Sequence, residues 1–92
     1  MNSSKYVVLT ADLEYGTEKI FVFDGSIKHK DFADAMKRSV RMPFVISAGF
    51  VSEFLTCYGS SMSLGVESRP DIDTLMLHSM LRFEDKEIRF KD

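Results

Sequence analysis

FVISAGFVSEFLTCYGSSMSLGVESRPDIDTLMLHSML, residues 44–81, carries most of the strand signal of the chain and its clearest helix start. Phe44–Val51 alternates as a strand does, and Phe54–Val66 places large side chains on one face and small or polar ones on the other. A bend or bulge at Gly59-Ser60-Ser61 would divide so long a strand. Residues 44–66 therefore predict the third and fourth strands of a sheet.

The helix start at Ser68-Arg69-Pro70-Asp71 is the strongest local signal in this stretch. Ser is a preferred N-cap, Pro fits the first helical turn, and an acidic residue complements the helix dipole there. The segment predicts a helix that continues to Leu81. Its expected core stripe comprises Ile72, Leu75, Met76, Ser79 and Met80, and an adjoining stripe carries Leu77 and Leu81.

The preceding chain predicts a β-hairpin and a first helix. Tyr6–Ala11 and Lys19–Phe23 are rich in β-branched and aromatic residues, and the turn between them contains Gly16. Apolar residues recur at helical spacing over Lys30–Val40, and Pro43 disfavours helical geometry just beyond. After the second helix, Arg82–Asp92 alternates charged and apolar residues, which fits an edge strand or an exposed tail.

The predicted element order is ββαββα. Hairpin-linked strands pair locally and helices must bury their apolar stripes, so we expect an α+β fold. Its form would be a two-layer sandwich, in which an antiparallel four-stranded sheet carries both helices on one face. Ninety-two residues are enough for a single domain, 1–92, with one core.

Composition excludes several classes of protein. The chain is 45% hydrophobic and 28% charged, which excludes a disordered or collagen-like protein, and its net charge of −2 gives no general attraction to nucleic acid. The single Cys makes no internal disulfide, and the N-terminal residues do not read as a signal peptide. No apolar segment approaches the roughly 20 residues that cross a bilayer. A cytoplasmic protein is therefore expected.

Short motifs between Phe23 and Leu81 resemble a pattern in small uncharacterised proteins of bacteriophage and prophage regions. These motifs are Asp24-Gly25-Ser26 with His29, Ser47–Val51, Cys57–Ser60, Ser63-Leu64-Gly65, and Ser68-Arg69-Pro70 with Asp73 and Leu75. The resemblance implies an accessory phage or prophage protein of the bacterial cytoplasm. It brings no known activity and no site residues.

The sequence contains three groups of residues with the character of a chemical site. Cys57 with His29 or His78 would supply a thiolate and a base, but catalysis requires contact between them, and a lone Cys in a strand is more often a small buried apolar residue. His29, Asp31 and Asp34 have metal-ligand character, although Asp residues in a first helical turn also complement the dipole. Gly59–Gly65 matches neither a phosphate loop nor a nucleophile elbow. We therefore expect no metal, cofactor or catalytic residue, with an enzyme using Cys57, His29 and His78 as the alternative.

The basic residues Lys37, Arg38 and Arg41 close the first predicted helix. They match the helix dipole there, and phosphate binding is the other interpretation, which leaves a weak nucleic-acid binder as a third possibility.

The chain has more apolar residues than a sheet with a single buried face can cover. Exposed apolar patches mark interfaces, so the excess of apolar residues predicts a protein-binding or adapter protein. The first form that we expect is a homodimer. The alternative is that the C-terminal segment covers the apolar face of the sheet. The interface residues expected from this argument are Val45, Val51, Leu55, Leu77 and Leu81.

Overall fold

The computed structural model describes residues 4–12, 17–39 and 44–91. The two helices are α1 (His29–Ser39) and α2 (Pro70–Lys91). The strands are β1 (Ser4–Asp12), β2 (Thr17–Phe23), β3 (Phe44–Val51), β4 (Cys57–Tyr58), β5 (Ser60–Ser61) and β6 (Val66–Glu67).

Four strands form one antiparallel sheet in the order β2-β1-β3-β4, and β5 and β6 form a separate two-stranded ribbon. Tyr6 in β1 lies opposite Val22 in β2 and Gly49 in β3. β1 is central, and its residues from Tyr6 to Thr10 are all buried. The predicted α+β class, the antiparallel four-stranded sheet and the two helices are thus confirmed.

The two helices contact opposite faces of the sheet. Side chains alternate between faces along a strand, and Val8 packs with Leu77 of α2, whereas its neighbour Val7 packs in the cluster that includes Phe32 of α1. We call these the α2 face and the α1 face. The expectation that both helices lie on one face is therefore wrong. The physical reason is that β1 is apolar at consecutive positions, so both of its faces require a cover.

The predicted long strand Phe54–Val66 is broken into β4, β5 and β6. Gly59 and Gly65 adopt φ of +80° and +68°, a region that favours glycine and ends regular pairing. The Ser52 hydroxyl accepts hydrogen bonds from the backbone N–H groups of Phe54 and Thr56, which stabilises a turn before β4. The expected order ββαββα is corrected accordingly.

α2 begins at Pro70, as predicted. The Asp73 carboxylate accepts the backbone N–H of Arg69, the residue before the helix, at 2.9 Å. The helix then continues to Lys91, through the segment expected to be an edge strand or tail. None of the helices in the described ranges has the length and hydropathy needed to cross a membrane.

Candidate functional site

An open groove of about 810 Å³ lies between β2 and α2 on the α2 face. Residues Glu18–Phe21 of β2 form one wall. The other wall is an apolar flank of α2 that comprises Ile72, Leu75, Met76, Ser79 and Met80. We call this feature the β2–α2 groove.

The strand wall of the groove is a sheet edge. β2 pairs with β1 on one side, and no strand of the described chain pairs with it on the other. Such an edge offers backbone N–H and C=O groups to an incoming strand. Val22 on this edge is 39% exposed, so its surface is partly apolar as well as rich in backbone groups.

The helical wall exposes large apolar side chains to solvent. Ile72, Leu75, Met76 and Ser79 follow i, i+3, i+4 and i+7 spacing and so share one flank of α2. Ile72 is 52% exposed and Leu75 is 67% exposed. Met76 and Met80 pack partly against the core beneath. The groove therefore has a packed apolar floor and an apolar wall that is open to solvent.

A buried polar network fixes α2 against the sheet beside the groove. The Tyr6 hydroxyl donates to Asp73 Oδ2 at 2.6 Å, and the Arg69 guanidinium donates to Asp73 Oδ1 from Nε at 3.1 Å and from an Nη atom at 2.9 Å. Asp73 is fully buried, so these donors compensate the burial of its charge. Burial raises the pKa of Tyr6, and the hydrogen bond to Asp73 raises it further.

Arg69 also connects the network to the strand wall. Its guanidinium lies 2.7 Å from the carboxylate of Glu18 on β2. One side chain thus links the start of α2 to the edge strand, and Glu18 is itself one of the residues that line the groove. The separation between the two walls is set by residues that are themselves paired, so the groove is preformed.

The structure does not join the residues of the alternative, an enzyme that uses Cys57, His29 and His78, into one site. Cys57 is buried on the α2 face, its backbone N–H donates to Thr74 Oγ1 at 2.9 Å, and burial raises the pKa of its thiol to about 11. His29 is buried on the α1 side, where Nε2 donates to the Gly49 carbonyl at 2.8 Å. His78 is exposed and donates to the Leu55 carbonyl at 2.9 Å. The hydrogen bonds of the described residues join Cys57 to neither histidine.

His29, Asp31 and Asp34, the residues with metal-ligand character, do not form a metal site in the described structure either. His29 Nε2 is already bonded to a carbonyl, and Asp31 lies in the first turn of α1. Within the ranges that the structure describes, no group of three or more His, Cys, Asp and Glu is arranged to hold a metal ion.

The hydroxyl-rich segment Gly59–Gly65 shapes a turn. Ser61 Oγ accepts the backbone N–H of Leu64 at 3.2 Å, and Ser63 Oγ accepts the backbone N–H of Lys30 at 3.3 Å. These bonds hold the ribbon closed and connect it to the start of α1. Its hydroxyls therefore act on backbone groups of the protein itself.

The predicted interface residues occupy several environments. Val51 and Leu77 are 6% and 2% exposed and lie inside the core of the α2 face, against which Leu81 also packs. Val45 packs against the core of the α1 face. Leu55 is exposed, on a turn where its φ is 61°. Val51 and Leu77 thus serve the protein's own core.

The structure describes only part of the basic residues that were suggested to bind nucleic acid. Lys37 and Arg38 lie in α1, but their side chains are outside the described part, as is Arg41 entirely. That prediction therefore stays a prediction.

The β2–α2 groove was not predicted because the hydropathy pattern assigned the wrong side of α2 to the core. Ile72 and Leu75 had been assigned to the core stripe, whereas Asp73 and Leu77 face inward. The sequence contained one signal for the orientation of α2, which is that the acidic residue Asp73 follows the basic residue Arg69 by four positions.

Comparison with known proteins gives no relative: no family model, no curated protein and no solved structure matches this chain.

Proposed function

We propose that the protein is a non-enzymatic binding or adapter protein that acts through protein–protein contacts at the β2–α2 groove. The observation that carries the proposal is the position of the groove, an apolar trough that runs beside a free sheet edge. A pocket for a small molecule does not need an unpaired strand as its wall. A site that binds a polypeptide by strand addition does.

The mode of binding that fits these walls is strand addition. An extended segment pairs with β2 through backbone hydrogen bonds, and every second side chain of that segment points toward α2. Those side chains meet Ile72, Leu75 and Met76. The backbone bonds supply affinity for any strand, and the apolar flank selects segments with apolar residues at alternate positions.

The exposed side chains contribute part of the driving force. Full burial of a Leu or Ile side chain contributes roughly 1.5–3 kcal/mol relative to full exposure. Ile72 and Leu75 still expose half or more of their surface, so covering both of them contributes about 2–3 kcal/mol before any strand pairing is counted. Glu18 and Arg69 neutralise each other at one end, so no unpaired charge of that pair opposes an apolar segment.

The enzymatic alternative has less support. A Cys57 thiol with a pKa of about 11 is protonated at neutral pH, and the thiolate is the nucleophilic form. Its two candidate bases donate to backbone carbonyls elsewhere. The nucleic-acid alternative rests on side chains that are not described.

The resemblance of the short motifs to bacteriophage and prophage proteins supports an accessory role of this kind. We accordingly propose that the partner contacts take place in bacterial cytoplasm, which the single Cys also favours.

A displayed library of random seven-residue segments, to which the sequence TEKIFVF of β2 is added, tests the proposal. The immobilised protein should enrich segments with alternating apolar residues. The Leu75→Glu variant should lose this enrichment, because it places a charge in the groove wall. Met62→Glu is the matched control, since Met62 is 96% exposed on the turn between β5 and β6, away from the groove. Enrichment that survives Leu75→Glu, or no enrichment by the wild-type protein, would contradict the proposal.

A further inference from the structure

We infer that one buried water molecule binds between the side-chain hydroxyls of Thr10 and Ser47 and bridges strands β1 and β3 on the α2 face. The site is independent of the proposed function, because neither residue lines the β2–α2 groove. A hydroxyl both donates and accepts hydrogen bonds, and water does the same in return. The lining groups therefore fit a small neutral ligand of this kind.

The two hydroxyls are buried without a partner. Thr10 and Ser47 are both buried, and no polar atom in the described part of the chain bonds Thr10 Oγ1 or Ser47 Oγ. A buried hydroxyl that has lost its hydration and gained no partner costs free energy. The large majority of buried polar side chains in native proteins bond to protein or to ordered water. Valine at position 10 and alanine at position 47 would avoid the cost, so the two hydroxyls indicate a polar ligand.

The register of the strands places both hydroxyls on the same face of the sheet. Ser47 lies directly opposite Val8 of β1, and Val8 packs with Leu77 of α2. Thr10 is two residues beyond Val8 in the same strand, so its side chain points to the same face. Diagonal neighbours of this kind are about 7–8 Å apart, with their Cβ atoms somewhat closer. Two hydrogen bonds through one water span about 5.5 Å, which fits the separation of two such hydroxyls.

A β-bulge beside Ser47 supplies further polar groups. The residues opposite Val8 and Leu9 in β3 are Ser47 and Val45. Ile46, between them, has no residue opposite it in β1. A bulge interrupts the regular ladder and leaves its extra residue unpaired. Buried waters make about three hydrogen bonds, and two hydroxyls with one backbone group of the bulge meet that number.

The side chains around the site leave room for a molecule as small as water. Ile20, Val8 and Ser47 form one row across β2, β1 and β3, and Ser47 is the smallest of the three. Ile20, Val8 and Leu77 belong to the buried apolar cluster of this face. The short serine side chain fills the least of the row, while the apolar neighbours keep bulk solvent away. A water bound there is consequently long-lived.

Oxygen-17 magnetic relaxation dispersion tests the site, because its amplitude counts the water molecules that stay bound for longer than the protein takes to tumble. The double variant Thr10→Val with Ser47→Ala removes both hydroxyls and leaves the side chains nearly the same size. Its matched control is Thr56→Val with Ser60→Ala, since both of those residues are exposed. We expect the wild type and the control to hold one more long-lived water than the double variant. Equal amplitudes in the three folded proteins would overturn the inference.

A double-mutant cycle in urea tests the bridge by a second readout. With a bridging water, either single substitution breaks the bridge and leaves the other hydroxyl without its partner. We expect Thr10→Val and Ser47→Ala each to raise the equilibrium constant for unfolding, and the two effects to be coupled by about five- to ten-fold. Two single variants that each lower that constant, with independent effects, would mean that the hydroxyls hold no ligand and would contradict the inference.

Discussion

The hydroxyl of Tyr6 donates a 2.6 Å hydrogen bond to the carboxylate of Asp73, 67 positions later in the chain. It joins the central strand to α2 inside the core, and Asp73 in turn holds Arg69, which pairs with Glu18 of the β2–α2 groove. The orientation of α2, and hence the set of side chains that it exposes, depends on this contact.

Tyr6→Phe removes the hydroxyl and keeps the ring. The buried carboxylate of Asp73 then loses one of its donors, so the free energy of unfolding should fall by about 2 kcal/mol in urea denaturation. Tyr58→Phe is the control, because Tyr58 is 43% exposed and should lose much less. Equal losses for the two variants would show that the buried hydrogen bond contributes nothing specific.

Gly49→Ala should destabilise the sheet where β3 meets β4. A Cβ at Gly49 meets the carbonyl oxygen of Tyr58, which is backbone and has little room to move. We expect a loss of about 1–3 kcal/mol, measured by thermal or urea unfolding. Gly65→Ala is the comparison: its φ is positive, but a Cβ there meets open space, so only backbone strain of about 1 kcal/mol applies. A smaller loss at Gly49 than at Gly65 would contradict the close approach.

His29 should make stability fall in mild acid. Burial between Phe23 and Phe50 lowers its pKa below the ordinary value of 6.5, so the unfolded chain binds the proton first as pH falls. The contribution is therefore present above pH 6.5 and is lost as pH falls from there through the lowered pKa of the folded state. Urea unfolding between about pH 8 and pH 5 should show a decline that His29→Gln reduces.

His78→Gln is the control for this pH dependence, because His78 is exposed. The decline should persist in that variant. A decline that is the same in His29→Gln and the wild type would assign the effect to other groups.

Leu55→Gly should stabilise the protein. Leu55 adopts φ of 61°, a conformation that costs an L-residue roughly 1–2 kcal/mol, and glycine relieves that cost without losing a buried side chain. We expect a gain of about 0.5–1 kcal/mol in the free energy of unfolding, after the added flexibility of glycine in the unfolded chain is subtracted. Phe54→Gly, at the neighbouring exposed position, should give no gain. A loss at Leu55→Gly would contradict the strain.

Much of the fold is visible in the sequence because it is local. The hairpin of β1 and β2, strand β3, helix α1 and the start of α2 at Pro70 all follow from alternation, helical spacing and proline chemistry. The expected bend at Gly59 is present, but alternation over Phe54–Val66 did not indicate the second positive φ at Gly65 or the turn before Cys57, so the fourth strand is shorter than predicted. Periodicity reports which side chains share a face, and it does not report where the backbone turns.

The placement of the helices and of the β2–α2 groove could not be predicted from local sequence patterns. β1 is apolar on both faces, and only the packed structure shows that α1 covers one and α2 the other. Hydropathy assigned Ile72 and Leu75 to the core in preference to Asp73. The partners that allow Asp73 to be buried are Tyr6 and Arg69, and the first of these is remote in sequence.

Sedimentation equilibrium over a range from low to high micromolar concentration tests most directly whether the β2–α2 groove is a protein-contact surface, since a homodimer is the first form expected for this protein. We expect the wild type and Met62→Glu to sediment at twice the 10.5 kDa mass of the chain, whereas Leu75→Glu stays folded and sediments at 10.5 kDa. A wild type that sediments at 10.5 kDa throughout, or a dimer that Leu75→Glu leaves intact, would contradict this expectation.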